Sequence, residues 1–299
     1  MTLLGHTHSA PAAAVLDRYP RCEQLLRHTL AGLPVVRRAA ITRAYSAMPV
    51  EYFADTEREI ECTLAASGDD LPTCLQHLDA FNALAPDAEN DAWYEQPRAF
   101  TSMHLDALQI GFARRRMELT LDQVLAHASA ATEVLEVGSG SGRLAAMLAD
   151  VCPPWRFTLV DRSDQATRFA AALHHARGTG ARVRCLRGDL AALPVADASA
   201  DLVIAAEVLE HAPNPAASVA ELLRVLRPGG WLATSLPIDV DIAMHPTVFE
   251  SEAAILSLFE PFALALCTSA VVSPDPTVDA IADVFPGFQG CVNAVFRKL

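Results

Sequence analysis

The chain has 299 residues, a net charge of −13 at neutral pH and an apolar content of 52%. These values allow a large hydrophobic core, and the acidity, which is spread along the whole chain, disfavours a nucleic-acid partner. No run of 18 apolar residues occurs, so we expect no membrane partner. The seven cysteines include no CxxC pair and the N-terminus has no secretion-signal pattern, which predicts a cytoplasmic location without a disulfide framework.

The first 130 residues are predicted to be helical. Alanine and leucine are frequent there, and apolar residues recur at a spacing near 3.6. Pro34, Pro49 and Pro72 lie where helices would begin. The predicted helices cover residues 12–31, 34–47, 50–67, 71–84 and about 100–128.

Strands and helices alternate after residue 130. Continuous apolar strands in such an alternation predict an α/β fold with a mostly parallel sheet covered on both faces. The predicted strands cover residues 132–137, 156–161, 182–187, 201–206, 230–236, 262–272 and 291–298. The predicted helices between them cover residues 141–150, 163–176, 214–226 and 251–259. We therefore expect a doubly wound, Rossmann-like, seven-stranded sheet over residues 131–299, with an antiparallel last strand and an all-helical cap over residues 1–130.

A glycine-rich turn follows the first predicted strand. The sequence VLEVGSGSGR has Gly138, Gly140 and Gly142 at alternate positions, with Glu136 two residues before the first of them. Such a turn lets a ligand approach bare backbone at a helix N-terminus. The dinucleotide fingerprint would need a glycine where Arg143 stands, and the Glu136 carboxylate would repel a pyrophosphate. The pattern therefore favours a cationic or hydroxyl-bearing ligand.

A carboxylate ends the second predicted strand, RFTLVD. Asp161 at that place can accept hydrogen bonds from both hydroxyls of a ribose. Ser163 is expected to cap the following helix, and this leaves Asp161 available for a ligand.

The stretch RGDLAALPVADASADLVIAAEVLEHAPNPAASVAELLRVLRPGG, together with VLEVGSGSG, resembles the class I S-adenosylmethionine-dependent methyltransferases, and in particular their small-molecule methyltransferase subgroup. The resemblance covers about residues 132–237 and does not extend over residues 1–130. It implies S-adenosyl-L-methionine as the cofactor and a small-molecule acceptor as the partner.

The resemblance implies where the methionine part of the cofactor would lie. Glu136, Gly138, Ser139 and Gly140 would frame it, and Gly142 would open the helix that follows the turn. These are the residues of the glycine-rich turn and the strand before it.

The resemblance also implies the contacts of the adenosine part. Asp161 would hold the ribose hydroxyls, and Arg162 would lie beside the adenine. Asp189 would accept a hydrogen bond from the adenine amino group, with the Leu190 backbone at the ring edge. Glu207 would line the pocket near the sulfonium.

Three side chains are candidates for a catalytic role in the reaction. His211 in LEHAPNP and His245 after the fifth strand are each a candidate base or acceptor contact, with a structural loop role as the alternative for His211. Tyr52 is the third candidate. It lies in a group of aromatic residues of the cap, which we expect to fold over the cofactor as a lid and to form most of the acceptor pocket, with plain core packing as the alternative. The group comprises Tyr45, Tyr52, Phe53, Trp93, Tyr94 and Phe100.

The predicted function is methyl transfer to a small, secondary-metabolite-like acceptor by in-line displacement. No metal-ligand spacing is visible, and we expect no metal site. The alternative reaction breaks another carbon–sulfur bond of the same cofactor. It would be 3-amino-3-carboxypropyl transfer or cyclisation to azetidine-2-carboxylate, with release of methylthioadenosine. A non-enzymatic cofactor-binding protein is the third hypothesis, and a homodimer paired through the cap is compatible with the sequence.

Overall fold

The computed structural model describes residues 15–82, 94–96, 98–242, 244–279, 281 and 288–299. Trp93 lies outside the described residues. The helices are α1 Pro20–Leu30, α2 Val35–Ser46, α3 Val50–Ser67, α4 Leu71–Asn82, α5 Ala99–Leu108, α6 Phe112–His127, α7 Arg143–Val151, α8 Asp164–Ala176, α9 Pro215–Val225 and α10 Glu252–Ser257. None of the helices in these ranges combines the length and apolar composition that a bilayer-spanning segment needs.

The α/β architecture predicted from the sequence is confirmed. The strands are β1 Glu133–Val137, β2 Arg156–Asp161, β3 Val183–Arg187, β4 Ala200–Ala206, β5 Leu226–Ile238, β6 Leu264–Val272 and β7 Gly290–Lys298. They form one seven-stranded sheet in the order β3-β2-β1-β4-β5-β7-β6. The first five strands pair in parallel, and β7 runs antiparallel between β5 and β6. Since β7 is hydrogen-bonded on both sides, it is an inner strand, and its residues from Gly290 to Phe296 are buried.

The single helix predicted over residues 100–128 is wrong, because α5 and α6 are separate helices joined by residues 109–111. The Tyr52 hydroxyl donates a hydrogen bond to the Leu108 carbonyl across 3.2 Å, at the end of α5. The Asp279 carboxylate accepts a hydrogen bond of 2.7 Å from the Phe112 amide, at the start of α6. Tyr52 and Asp279 are far from residues 109–111 in the sequence. The hydrogen bonds that end α5 and begin α6 therefore cannot be predicted from the local sequence pattern.

The α6 helix packs against the sheet, although the predicted boundary near residue 130 places it in the helical cap. Val124 and Ala128 are fully buried in one apolar cluster with Val134 of β1 and Val295 of β7. The helices before α6 have apolar clusters of their own, one of which contains Tyr52. The α6 helix thus covers one face of the sheet, and α1 to α5 form the additional helical region.

A buried carboxylate connects the helical region to the sheet-covering helices. Glu59 of α3 lies 3.2 Å from the Arg143 guanidinium of α7 and 3.3 Å from the His104 imidazole of α5. It also pairs with Arg177, which follows α8. Burial lowers the pKa of both arginines to about 10. Burial has removed water from these charged groups. Loss of one partner would therefore leave another buried charge unpaired and destabilise the contact between these helices.

Glu136 of β1 lies beneath the start of α7 rather than at the surface of the sheet. Its Oε2 atom accepts a hydrogen bond of 3.1 Å from the Ala145 amide in the first turn of that helix. Burial raises the pKa of Glu136 to about 8. The hydrogen bond from the Ala145 amide opposes this rise and the Asp161 charge adds to it, but both effects are smaller. The carboxyl therefore caps a helix N-terminus.

Removing the buried carboxylate of α3 is expected to destabilise the protein. Glu59→Ala leaves Arg143 buried without its partner, and we expect the free energy of unfolding to fall by about 3–5 kcal/mol. Glu61→Ala on the same helix is the matched control, because Glu61 forms an exposed ion pair with Arg21 and such pairs contribute little. Urea denaturation of both variants measures the difference, and equal losses would contradict the role of Glu59.

The buried Glu136 carboxyl predicts a pH dependence of stability. Its ordinary pKa of 4.5 describes the unfolded chain, whereas its pKa in the folded protein is about 8. Between these values the folded protein keeps a proton that the unfolded chain releases, so stability falls as the pH rises, by at most about 1.4 kcal/mol per pH unit.

Glu136→Gln keeps the oxygen that accepts from Ala145 and abolishes this titration. We expect the free energy of unfolding of the variant, relative to the unchanged protein, to increase steadily from pH 5 to pH 8. Urea denaturation at several pH values measures this difference. A constant offset across the range would contradict the raised pKa.

Candidate active site

A cleft opens at the carboxyl ends of β1, β2 and β4. The order of the sheet reverses between β1 and β4, and α/β sheets bind their ligands at such a switch point. The cleft contains about 960 Å³ of empty space, including the solvent at its mouth. Sheet-derived loops form one side of it, and Tyr94, Phe100 and Met103 from the helical region form the other.

The cleft collects most of the predicted cofactor-binding residues. The residues that line it are Gly138, Gly140, Asp161, Arg162, Asp189, Leu190 and Glu207. Glu136, Ser139 and Gly142 are not among its lining. Ser139 is buried behind the turn, and Gly142 stands at the start of α7, where the resemblance places it.

The glycine-rich turn presents bare backbone to the cleft. Gly138 and Gly140 both have positive φ, at +65° and +52°. A Cβ atom at Gly138 would come within 2.6 Å of Val208 in the loop after β4, so a side chain cannot fit there. A Cβ atom at Gly140 would meet only Phe100 across the cleft, at 3.7 Å. The space beside Gly140 is thus open to a ligand, whereas the glycine at position 138 makes room for Val208.

Asp161 is held at the cleft wall by two backbone amides. Its Oδ2 atom accepts from the Gly140 amide and its Oδ1 atom from the Ser163 amide, each across 2.9 Å. Burial raises the pKa of Asp161, and these two amides oppose the shift. Since each carboxylate oxygen has a further lone pair, the group can still accept a hydrogen bond from a ligand hydroxyl.

Two further acids lie along the cleft. Asp189 follows β3 and is exposed, and its Oδ1 atom accepts a hydrogen bond of 2.8 Å from the Ala191 amide. Glu207 follows β4 with a positive φ of 55°. Its Oε1 atom accepts from the Ser235 hydroxyl at 2.8 Å and lies 3.7 Å from the Arg116 guanidinium. The acids fit a cationic, hydroxyl-bearing ligand better than a nucleotide diphosphate.

Tyr52 does not line the cleft, and this corrects the prediction that it is a candidate for a catalytic role. Its ring packs at right angles against Phe53, with centroids 5.3 Å apart, and both side chains are buried. Tyr45 belongs to the same cluster. These three aromatics are core residues of the helical region, whereas Tyr94 and Phe100 reach the cleft.

The rings of His211 and His245 are in contact beside the cleft. His211 lines the cleft, and the ring of His245 lies behind it with centroids 4.9 Å apart. Burial lowers the pKa of both imidazoles. His211 Nδ1 is 2.8 Å from the Met244 carbonyl and His245 Nδ1 is 3.0 Å from the Val240 carbonyl. Because a carbonyl only accepts, both rings carry their proton on Nδ1.

Glu210 is a member of this group that the sequence reasoning missed. Its side chain is buried, and one ligand atom from each of Glu210, His211 and His245 lies within 4.8 Å of the others. The sequence shows no metal-ligand spacing because His245 is 34 positions from His211. The only available signal was the Glu-His pair in LEH, which is too short to indicate a cluster.

Comparison with known proteins agrees with this geometry. A family model described as a methyltransferase domain matches residues 135–234. The chain is 42% identical over 123 residues to a probable S-adenosylmethionine-dependent methyltransferase of Mycolicibacterium smegmatis, covering 41% of this chain and 44% of that protein. It is 33% identical over 146 residues to a trans-aconitate 2-methyltransferase of Azoarcus sp., covering 49% and 52%. The chain spans about half the length of the curated relatives it matches, or less.

Solved structures share the fold. The (4+2)-cyclase SpnF aligns with a TM-score of 0.53 at 20% identity, over 76% of this chain and 92% of that one. A geranyl diphosphate methyltransferase aligns with a TM-score of 0.52 at 17% identity, over 71% and 86%. The matched family segment includes the glycine-rich turn, Asp161, Asp189 and Glu207. Residues 135–234 therefore match a methyltransferase domain, and relatives that share this segment are named S-adenosylmethionine-dependent methyltransferases.

Proposed function

We propose that the protein transfers the methyl group of S-adenosyl-L-methionine to a small-molecule acceptor. The observation that carries this proposal is the cleft itself. It combines the bare glycine backbone and three carboxylates on the sheet side with Tyr94, Phe100 and Met103 on the helical side. A cofactor bound along the sheet would therefore meet its acceptor under the helical region.

The residues of the cleft would hold the cofactor in a defined direction. Asp161 would accept hydrogen bonds from the ribose, and Asp189 with the Leu190 backbone would bind the adenine. The methionine part would lie along Gly138 and Gly140, with Glu207 near its positive charge. When bound, the cofactor supplies a methyl group on a sulfonium, which is a good electrophile without a metal. The protein then has to orient the acceptor and exclude water.

His211 is the candidate base for an acceptor hydroxyl or amine. It lines the cleft, and its Nε2 atom is free of a proton because the proton is on Nδ1. Its lowered pKa keeps the ring neutral near pH 7, so it can accept a proton during transfer. His245 would act through its contact with His211 and not on the acceptor itself.

The helical side of the cleft favours a compact metabolite as the acceptor. Tyr94, Phe100 and Met103 give the helical side of the cleft an apolar surface, which suits a compact metabolite. Relatives are named for trans-aconitate and for ubiquinone biosynthesis, which supports a small molecule. The cytoplasmic location and the homodimer stay predictions from the sequence.

The reaction products distinguish methyl transfer from cleavage of another carbon–sulfur bond. We expect the purified protein to leave S-adenosyl-L-methionine intact when it is incubated alone. With a panel of small hydroxyl, carboxyl and amine compounds it should release S-adenosylhomocysteine, measured by mass spectrometry. Release of methylthioadenosine would contradict the proposal and support the alternative, which the names of the relatives do not favour.

Asp161 provides a test of cofactor binding. Asp161→Asn removes the charge and one acceptor at the cleft wall but keeps an oxygen for a backbone amide. We expect the affinity for S-adenosyl-L-methionine to fall by about 1–3 kcal/mol, which is about 5- to 150-fold in Kd. Asp164→Asn is the control, because Asp164 pairs with Arg168 at the surface and does not line the cleft. Calorimetry measures both, and an unchanged Kd for Asp161→Asn would place the ribose elsewhere.

A further inference from the structure

We propose that Glu210, His211 and His245 form a binding site for one divalent transition-metal ion at the acceptor end of the cleft. The residue types, the convergence of their ligand atoms and the orientation of their rings carry this inference. It goes beyond the methyl-transfer proposal and does not depend on it, because the site can bind metal whether or not the protein transfers a methyl group. An ion bound through His211 Nε2 takes the lone pair that the proposed base needs, so His211 could act as a base only in the metal-free protein.

The distances suit a metal after a small adjustment. The three ligand atoms lie within 4.8 Å of one another, and His211 Nε2 is 4.0 Å from Glu210 Oε1. A tetrahedral Zn²⁺ ion with ligand bonds of about 2.0–2.1 Å holds neighbouring ligand atoms roughly 3.4 Å apart. Side-chain shifts of the order of 1 Å would therefore close the site around an ion.

The two imidazoles are already oriented as ligands. Each donates its Nδ1 proton to a main-chain carbonyl, of Met244 for His211 and of Val240 for His245. Metal-bound histidines show this arrangement, because the second hydrogen bond fixes the tautomer and leaves the other nitrogen to the ion. This leaves each Nε2 atom with a free lone pair, and that of His211 lies 4.0 Å from Glu210 Oε1.

The third member of the cluster is a buried carboxylate with an unpaired oxygen atom. Glu210 is only 2% exposed, and its Oε2 atom has no hydrogen-bond partner among the described residues. A buried carboxylate oxygen and two imidazole lone pairs are all acceptors, and acceptors that face one another in a buried place are unfavourable without a cation or a proton between them. A divalent ion would satisfy all three at once.

The backbone around the cluster is tied together, so the site is part of the fold. The loop that carries His245 is joined to the segment that carries Glu210 by two hydrogen bonds of Thr247. Its amide donates to the Glu210 carbonyl across 3.4 Å, and its hydroxyl donates to the Ala212 carbonyl across 3.2 Å. These bonds fix the separation between the histidines and the acid.

The ligand set indicates the class of metal. Two imidazoles and one carboxylate suit Zn²⁺, Fe²⁺ or Mn²⁺ and not Ca²⁺ or Mg²⁺, which prefer oxygen ligands. Three protein ligands leave at least one coordination position open. Since His211 lines the cleft, that position would take an oxygen or nitrogen atom of a molecule bound there.

Metal titration of the protein tests the site directly. After removal of metal with a chelator, we expect the full chain to bind one equivalent of Zn²⁺ by calorimetry. Glu210→Gln and His245→Ala should each lose this equivalent or bind it at least tenfold more weakly. His127→Ala is the matched control, because His127 is exposed on α6 and far along the chain from the cluster. It should bind Zn²⁺ as the unchanged protein does.

A second pair of histidines must be excluded as the source of binding. His6 and His8 are outside the described residues, so the double variant His6→Ala/His8→Ala is titrated as well and should keep its equivalent. Loss of binding in that variant would overturn the proposal. So would unchanged binding in Glu210→Gln and His245→Ala, or absence of binding in the unchanged protein.

A spectroscopic readout covers the case in which a site variant does not fold. Co²⁺ added to the unchanged, metal-free protein should give visible d–d bands of a low-coordinate ion with nitrogen ligands. These bands should persist in His6→Ala/His8→Ala and in His127→Ala. A spectrum identical to that of hydrated Co²⁺ would overturn the proposal without any site variant.

Discussion

The reversal of the sheet order between β1 and β4 is the constraint on which the rest of the molecule depends. Parallel neighbours need crossover connections, and here the connections after these two strands lead to opposite sides of the sheet. The loops after them therefore separate and leave a crevice. Gly138, Asp161 and Glu207 meet there because Asp161 is the last residue of β2 and the other two directly follow β1 and β4.

The helical region reaches the crevice because it is held against the helices that start there. Glu59 is buried between Arg143 and His104, and Arg143 begins the helix that follows the glycine-rich turn. The α5 helix, which contains His104, also carries Phe100 to within contact distance of a side chain placed at Gly140. The same polar contacts that join the two layers thus determine the distance between the sheet side and the helical side of the cleft.

Local sequence patterns predict the structure correctly where pattern and structure share a cause. Strand and helix positions after residue 130 followed from continuous apolar runs, and Ser163 caps α8 as expected. The fold brings seven of the ten predicted cofactor residues to one cleft. Reasoning failed at residues 109–111, where partners from residues 52 and 279 end one helix and begin the next. It also did not anticipate that Tyr52 lies in the core of the helical region or that Glu136 is buried under α7, because side-chain direction depends on packing between distant segments.

The sequence by itself determined the α/β class, the glycine-rich turn and the acids at strand ends, since periodicity and strand-end chemistry are properties of short segments. Only the tertiary structure decided which side chains share a site. It buried Glu136 under α7, and it brought His245 beside His211 and Glu210 across 34 positions of the chain. The physical reason is that hydrogen bonds and ion pairs between distant residues depend on the distances between loops, and the whole sheet sets those distances.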